Sequence, residues 1–116
     1  RQIWIDTIKE KGDIAIAEHI TQMLKLKNVK QIYISFDVDV LDASYVATTG
    51  TPNTNGMAPH QAVLIIQKLL ENFKLVGSDI VEFAPHLNTM GPFGKGPETA
   101  FLSLGPILNL LLTAPL

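Results

Sequence analysis

The sequence predicts an α/β domain built on parallel strands with flanking helices, and three observations carry that prediction. Apolar residues recur at helical spacing in two separate segments, each of these is followed by a run that reads as a strand, and a third apolar helix lies near the end of the chain. Strands separated by helices in this order imply parallel pairing through helical crossovers.

The first helical pattern covers Asp13 to Leu26, with Ile14, Ile16, Ala17, Ile20, Met23 and Leu24 on one face and Asp13 as the expected N-cap after Gly12. A polar turn from Asn28 to Lys30 leads into Gln31-Ile32-Tyr33-Ile34-Ser35-Phe36, a β-branched and aromatic run typical of a buried strand. Asp37 follows at its C-terminal end. Residues Ala43 to Pro59 hold Gly50, Pro52, Asn53, Asn55, Gly56 and Pro59, too many turn formers for regular structure, so a long loop is expected. The second helix runs from Pro59, in its first turn, through Ala62, Ile65, Ile66, Leu69 and Leu70 to Asn72. A second strand spans Leu75 to Phe83, and a last helix covers about Glu98 to Leu112, bent at Pro106. Tyr33, Phe36 and the leucines of the last helix are expected in the core. Ligands of such sheets gather outside the carboxyl ends of the strands, where both Asp37 and Glu82 fall.

A chain of 116 residues that is 47% hydrophobic is sized for one modest core, so residues 1–116 are read as one domain. Net charge is −2 and the lysines are scattered, which leaves no basic stripe for tracking phosphates and argues against a nucleic-acid partner. The absence of cysteine rules out disulfides and thiolate ligands and suits a cytoplasmic protein. No apolar run reaches the roughly 18 residues of a membrane span. The start at Arg1 suggests a piece of something longer.

Asp37, Asp39 and Asp42 form an acidic group directly after the apolar strand. Crowded carboxylates repel one another and are costly to desolvate, and a bound hard cation is the simplest compensation. Carboxylate oxygens suit Mg, Ca or Mn, and on an extended backbone Asp37 and Asp39 point to the same side. The bland alternative is a solvated turn whose Asp side chains cap backbone N–H groups. An EF-hand loop fails, because Leu41 and Asp42 stand where an oxygen ligand and a glycine are needed. An apolar strand followed by Asp-Val-Asp also resembles the nucleophile motif of haloacid dehalogenase-like phosphatases, with Asp37 attacking phosphorus.

A second resemblance uses more of the chain. Ser35-Phe36-Asp37-Val38-Asp39, then Leu41-Asp42, Gly50-Thr51-Pro52 and Gly56, resembles the second metal motif of the arginase/agmatinase (ureohydrolase) family, and Glu82 followed by Pro85 resembles its Glu-x-x-Pro. The resemblance implies the C-terminal part of an arginase-like three-layer α/β/α fold. It implies two Mn2+ ions per site, with Asp37 bridging both and Asp39 holding one. It implies that Glu82 pairs with a small guanidino substrate and that Thr51 lies near it, although the Thr51 hydroxyl could equally serve its own loop. Water shared by two divalent cations loses a proton near neutral pH and can attack the guanidinium carbon, releasing urea and an amine. Assembly as a homo-oligomer, a trimer or hexamer, is implied in the same way.

The sequence departs from the family pattern at Ala43, Ala47, Thr48 and Ala84, which bears on loop conformation and substrate class. The family's remaining ligands, a His and an Asp-Ala-His-x-Asp cluster, belong to an N-terminal half outside this chain, so the isolated chain is expected to be a noncatalytic module. His19, His60 and His86 match none of those ligands and are read as surface or structural residues.

Overall fold

The computed structural model describes residues 2–42, 56–82 and 96–114, the last with side chains from 102 on. Its elements are α1 (Ile5–Lys11), α2 (Asp13–Leu26), β1 (Gln31–Asp37), α3 (Pro59–Asn72), β2 (Lys74–Val81) and α4 (Gly96–Thr113), with a 3-10 turn over Val38–Val40 directly after β1.

α1 was not expected, being too short to show an apolar period. It carries Asp6 in its first turn and Lys9 and Lys11 in its last, the charge order that complements the helix dipole. Gly12 ends it at φ 89°, its N–H donating to Ile8 O at 2.8 Å, and the same residue is the N-cap of α2. Only glycine takes that φ without strain. Asp13 is therefore not the cap but the first helical residue, where its carboxylate accepts from the adjacent Ile14 N–H at 3.0 Å. At the other end of α2, Asn28 takes φ 59°, with Asn28 N–H donating to Lys25 O and Val29 N–H to Leu24 O. This is a Schellman closure, and it turns the chain toward β1.

α3 has the expected bounds. Pro59 occupies its first turn, and Gln61 Oε1 accepts from Ala58 N–H at 3.0 Å, closing one otherwise unpaired donor. β1 and β2 pair in parallel across this helix, with Gln31 opposite Lys74, Ser35 opposite Asp79 and Asp37 opposite Val81, and one irregularity in register between Ile32 and Tyr33. β2 ends at Val81, two residues before the expected end.

One buried cluster joins the elements. It contains Ile8, Ile16, Phe36, Val38, Leu41, Met57, Ala62, Ile66, Leu75, Leu104, Ile107 and Leu111, with Ile32, Ile34 and Ile80 packed against it. The described helices thus cover the Ile32–Ile34–Phe36 face of the sheet. Thr21 is the buried polar residue of α2, and its hydroxyl is satisfied by donating to Ala17 O at 2.8 Å. α4 continues through Pro106, burying Leu104, Ile107 and Leu111 while Leu102 and Leu112 stay exposed. Tyr33 is not a core residue. It is 58% exposed, because successive strand residues alternate faces and Tyr33 falls opposite Phe36.

Candidate functional site

The two parallel strands end side by side, and each ends in a carboxylate. Asp37 is the last residue of β1, and Glu82 follows Val81, the residue paired with Asp37. The chain does not stay extended through Asp37-Val38-Asp39, as the alternating pattern suggested. It tightens into the 3-10 turn, with Asp37 as the N-cap whose Oδ1 accepts from Asp39 N–H at 3.1 Å. The reason is local: Asp at a cap satisfies a donor that the tight turn leaves unpaired. Val38 and Leu41, both fully buried, anchor either end of the turn, each contributing roughly 1.5–3 kcal/mol of apolar burial.

Asp42 has a different task from its two neighbours. Its Oδ2 accepts from Gly56 N–H at 3.2 Å, while Asp42 N–H donates to Met57 O at 2.9 Å and Met57 N–H donates to Val40 O at 2.8 Å. Leu41 and Met57 thereby form an isolated parallel bridge. This clamp closes the base of the long loop and holds the aspartate turn from behind. Gly56 is required there for space: a Cβ would sit 2.7 Å from Asp42 N, Leu41 C and Val40 O. A glycine in a turn-rich stretch reads as a turn former, so nothing in the sequence separated this role from the others.

Glu82 is exposed and has φ 65°. Side chains other than Gly, Asn and Asp rarely take this conformation, and such outliers cluster at functional sites. It redirects the chain as β2 ends, beside the Asp37 turn.

The electrostatics tie these groups together. The Asp37 carboxyl is held above its ordinary value of 3.8, first by partial burial and then by hydrogen bonding to the Asp39 carboxyl. The negative charges of Asp39 and Glu82 add to the rise, and the Asp39 N–H opposes it. Asp37 also borders a hollow of about 270 Å³ walled by Phe36, Val40, Met57, Ile65 and Ile66. An anion partly desolvated beside two others is a group that a cation would relieve. Asp37 and Asp39 supply the hard oxygen donors that manganese, magnesium and calcium take. Among the described residues no group of three or more His, Asp or Glu could hold a metal ion by itself. The pair therefore fits a share of a metal site.

Thr51, Gly50 and Pro52 lie outside the described residues, as do Pro85 and His86. His19 and His60 are exposed, on α2 and in the first turn of α3. No helix among the described residues is long and apolar enough to cross a membrane.

The arginase family profile matches residues 1–111. The chain is 37% identical over 86 residues to the mitochondrial guanidino acid hydrolase of Homo sapiens, covering 74% of this chain and 22% of the relative. It is 32% identical over 104 residues to the guanidinopropionase of Pseudomonas aeruginosa, covering 90% of this chain and 30% of the relative. Its fold matches a hypothetical agmatinase from Burkholderia thailandensis with a TM-score of 0.70 and 29% identity, over 92% of this chain and 31% of that one. The chain thus spans between a fifth and a third of the length of these relatives. The haloacid dehalogenase-like resemblance of the strand and its aspartates has no counterpart among these matches. With an arginase-like α/β fold and a profile match over nearly all its length, the chain belongs to the arginase family.

Proposed function

We propose that the protein carrying this chain hydrolyses a guanidino C–N bond with two manganese ions, releasing urea and an amine, and that residues 1–116 are the C-terminal portion of its catalytic domain. The observation behind this reading is the convergence of Asp37, Asp39 and Glu82 at the carboxyl ends of neighbouring parallel strands. Relatives named guanidino acid hydrolase, guanidinopropionase and agmatinase support the class of bond.

In this reading Asp37 and Asp39 would supply carboxylate oxygens to the manganese site. The chemistry that the bound ions supply is the acidification of water near neutral pH. Glu82 accepts two parallel N–H bonds from the planar guanidinium, which keeps that group charged and fixes its carbon in place. Its exposure leaves the carboxylate open to a ligand. The family resemblance assigns Thr51, which is outside the described residues, to the substrate as well. The remaining metal ligands come from outside these 116 residues, so the isolated chain is a noncatalytic module.

The test is to load the full-length protein with manganese and assay urea release from arginine, agmatine, guanidinopropionate and guanidinobutyrate. Release from one or more of them, abolished by Asp37→Ala, is the expected result. No release from any, or full activity in the variant, sinks the reading. Calorimetry on the 116 residues alone should show weak or no manganese binding, and tight stoichiometric binding would contradict the modular role. A homotrimer or homohexamer belongs to the same proposal and is checked by light scattering. So does a cytoplasmic setting, which the cysteine-free composition supports and fractionation would test against the mitochondrial names of some relatives.

A further inference from the structure

The strands carry a second polar cluster, on the sheet face opposite the core. Tyr33 Oη donates to Asp79 Oδ2 at 2.9 Å, and Ser35 Oγ donates to Asp79 Oδ1 at 2.6 Å. Both oxygens of one β2 carboxylate are thus held by two hydroxyls on β1. Ser35 and Asp79 are register partners, and the next pair on this face is Asp37 with Val81, immediately before Glu82. The tie begins at the irregularity between Ile32 and Tyr33, where the Tyr33 ring lies so close over Gly77 that a Cβ there would be 2.8 Å from it.

A parallel ladder does not by itself forbid slippage. One step moves a strand by about 3.3 Å and turns every side chain to the other face. The irregularity has already broken the register once, so the half of the ladder beyond it needs its own specification. The buried face opposes such a slip, which would turn Phe36 or Ile80 outward, but apolar contact is undirected and fixes the finer alignment of the strand ends less closely. The Tyr33–Asp79–Ser35 tie is directed, and it has no equivalent in a slipped register, where Asp79 would face away. Exposed hydrogen bonds contribute little to net stability, so geometry is what such a tie controls. The tie also holds the Tyr33 phenol above its ordinary pKa, chiefly through its hydrogen bond to Asp79.

We infer that Asp79, held by Tyr33 and Ser35, is a positioning residue that locks the β1–β2 register beyond the irregularity and so sets the separation of Asp37 from Glu82. Its kinetic consequence rests on the proposed guanidino hydrolysis; the lock itself does not. A misplacement on the scale of 1 Å between a bound group and the reacting centre can cost about 100-fold in rate.

The test compares Asp79→Ala, Asp79→Asn and the double variant Tyr33→Phe/Ser35→Ala in the manganese-loaded full-length protein. Two readouts are taken: steady-state kinetics, and hydrogen exchange at the amides of Phe36, Asp37, Ile80 and Val81. Asp79→Ala and the double variant should exchange about tenfold faster there and lose about 10- to 100-fold in kcat/KM, with bound manganese and melting temperature near wild type. Asparagine keeps one acceptor and should restore most of both. A role limited to stability would lower the melting temperature and leave the kinetics of the folded enzyme unchanged, which overturns the inference. So does unaltered exchange in Asp79→Ala. If the wild type hydrolyses no guanidino compound, the functional reading fails and the exchange measurement alone decides the lock.

Discussion

Replacing Gly56 by alanine tests the clamp behind the aspartate turn most directly. The new methyl would lie 2.7 Å from three backbone atoms, Asp42 N, Leu41 C and Val40 O, none of which can swing aside as a side-chain tip could. The strand-like contact must therefore open. Three hydrogen bonds lie across it: Gly56 N–H to Asp42 Oδ2, Asp42 N–H to Met57 O and Met57 N–H to Val40 O. At about 1 kcal/mol net each, their loss costs about 3 kcal/mol. Alanine restricts the unfolded chain and returns about 0.4–1 kcal/mol, because no positive φ opposes it at this position. The expected net loss is about 2–3 kcal/mol. In urea, with a slope of about 1.5–2 kcal/mol/M for a domain of this size, the unfolding midpoint should fall by about 1–2 M. Circular dichroism follows the transition. A variant within about 0.5 kcal/mol of wild type would refute the reasoning, since that is the ordinary scatter of an uninvolved surface site. Because the clamp backs the turn that presents Asp37 and Asp39, the variant should also bind manganese more weakly in the full-length protein.

Three other outcomes follow from the same geometry. Glu82 takes φ 65°, so Glu82→Gly should be more stable than Glu82→Ala by about 0.5–1 kcal/mol, the relief of a left-handed residue less the flexibility of glycine; paired thermal melts giving the reverse order would remove the claim of strain. The Asp37 carboxyl is raised in the folded state above its ordinary 3.8, so between 3.8 and the raised value the native chain holds more of this proton than the unfolded chain does. That contribution is present at low pH and is lost as pH rises through the window; metal-free protein should therefore lose stability there relative to Asp37→Asn, and urea midpoints that diverge the other way would contradict it. Tyr33 should ionise above the ordinary tyrosine value of 10 in an ultraviolet titration, and Asp79→Ala should return it to that range. The stability held in the Tyr33 bond is then present below pH 10 and disappears above it, so a Tyr33 already titrating normally in wild type would show the bond absent.

The parts of the molecule legible from sequence are those whose cause is local. α2 and α3 have the bounds their apolar spacing implied, Asp13–Leu26 and Pro59–Asn72, because a helix must turn one face to the core every 3.6 residues. β1 was visible as a β-branched run, and the strand-end position of Asp37 followed from it. α1 escaped because seven residues hold too few turns to show a period, although Asp6, Lys9 and Lys11 are ordered as a helix dipole prefers. The exposure of Tyr33 has a different origin. Alternation says that its face differs from that of Phe36, but not which face the helices cover.

The sequence by itself determined that this is an α/β chain with aspartates at a strand end, and its motif combination was enough to indicate the family. Only the tertiary structure decided what each polar group does. Asp37 caps a tight turn while Asp42 clamps a loop base, although they sit five residues apart in one acidic stretch. Gly56 is needed for space and Gly12 for its φ, and composition cannot tell such glycines apart. Asp79, an acidic residue inside a strand pattern, ties the strands together across 46 residues of chain to Tyr33 and 44 to Ser35. Periodicity is a property of neighbours in sequence. Register, close approach and shared carboxylates belong to residues that meet only once the chain has folded.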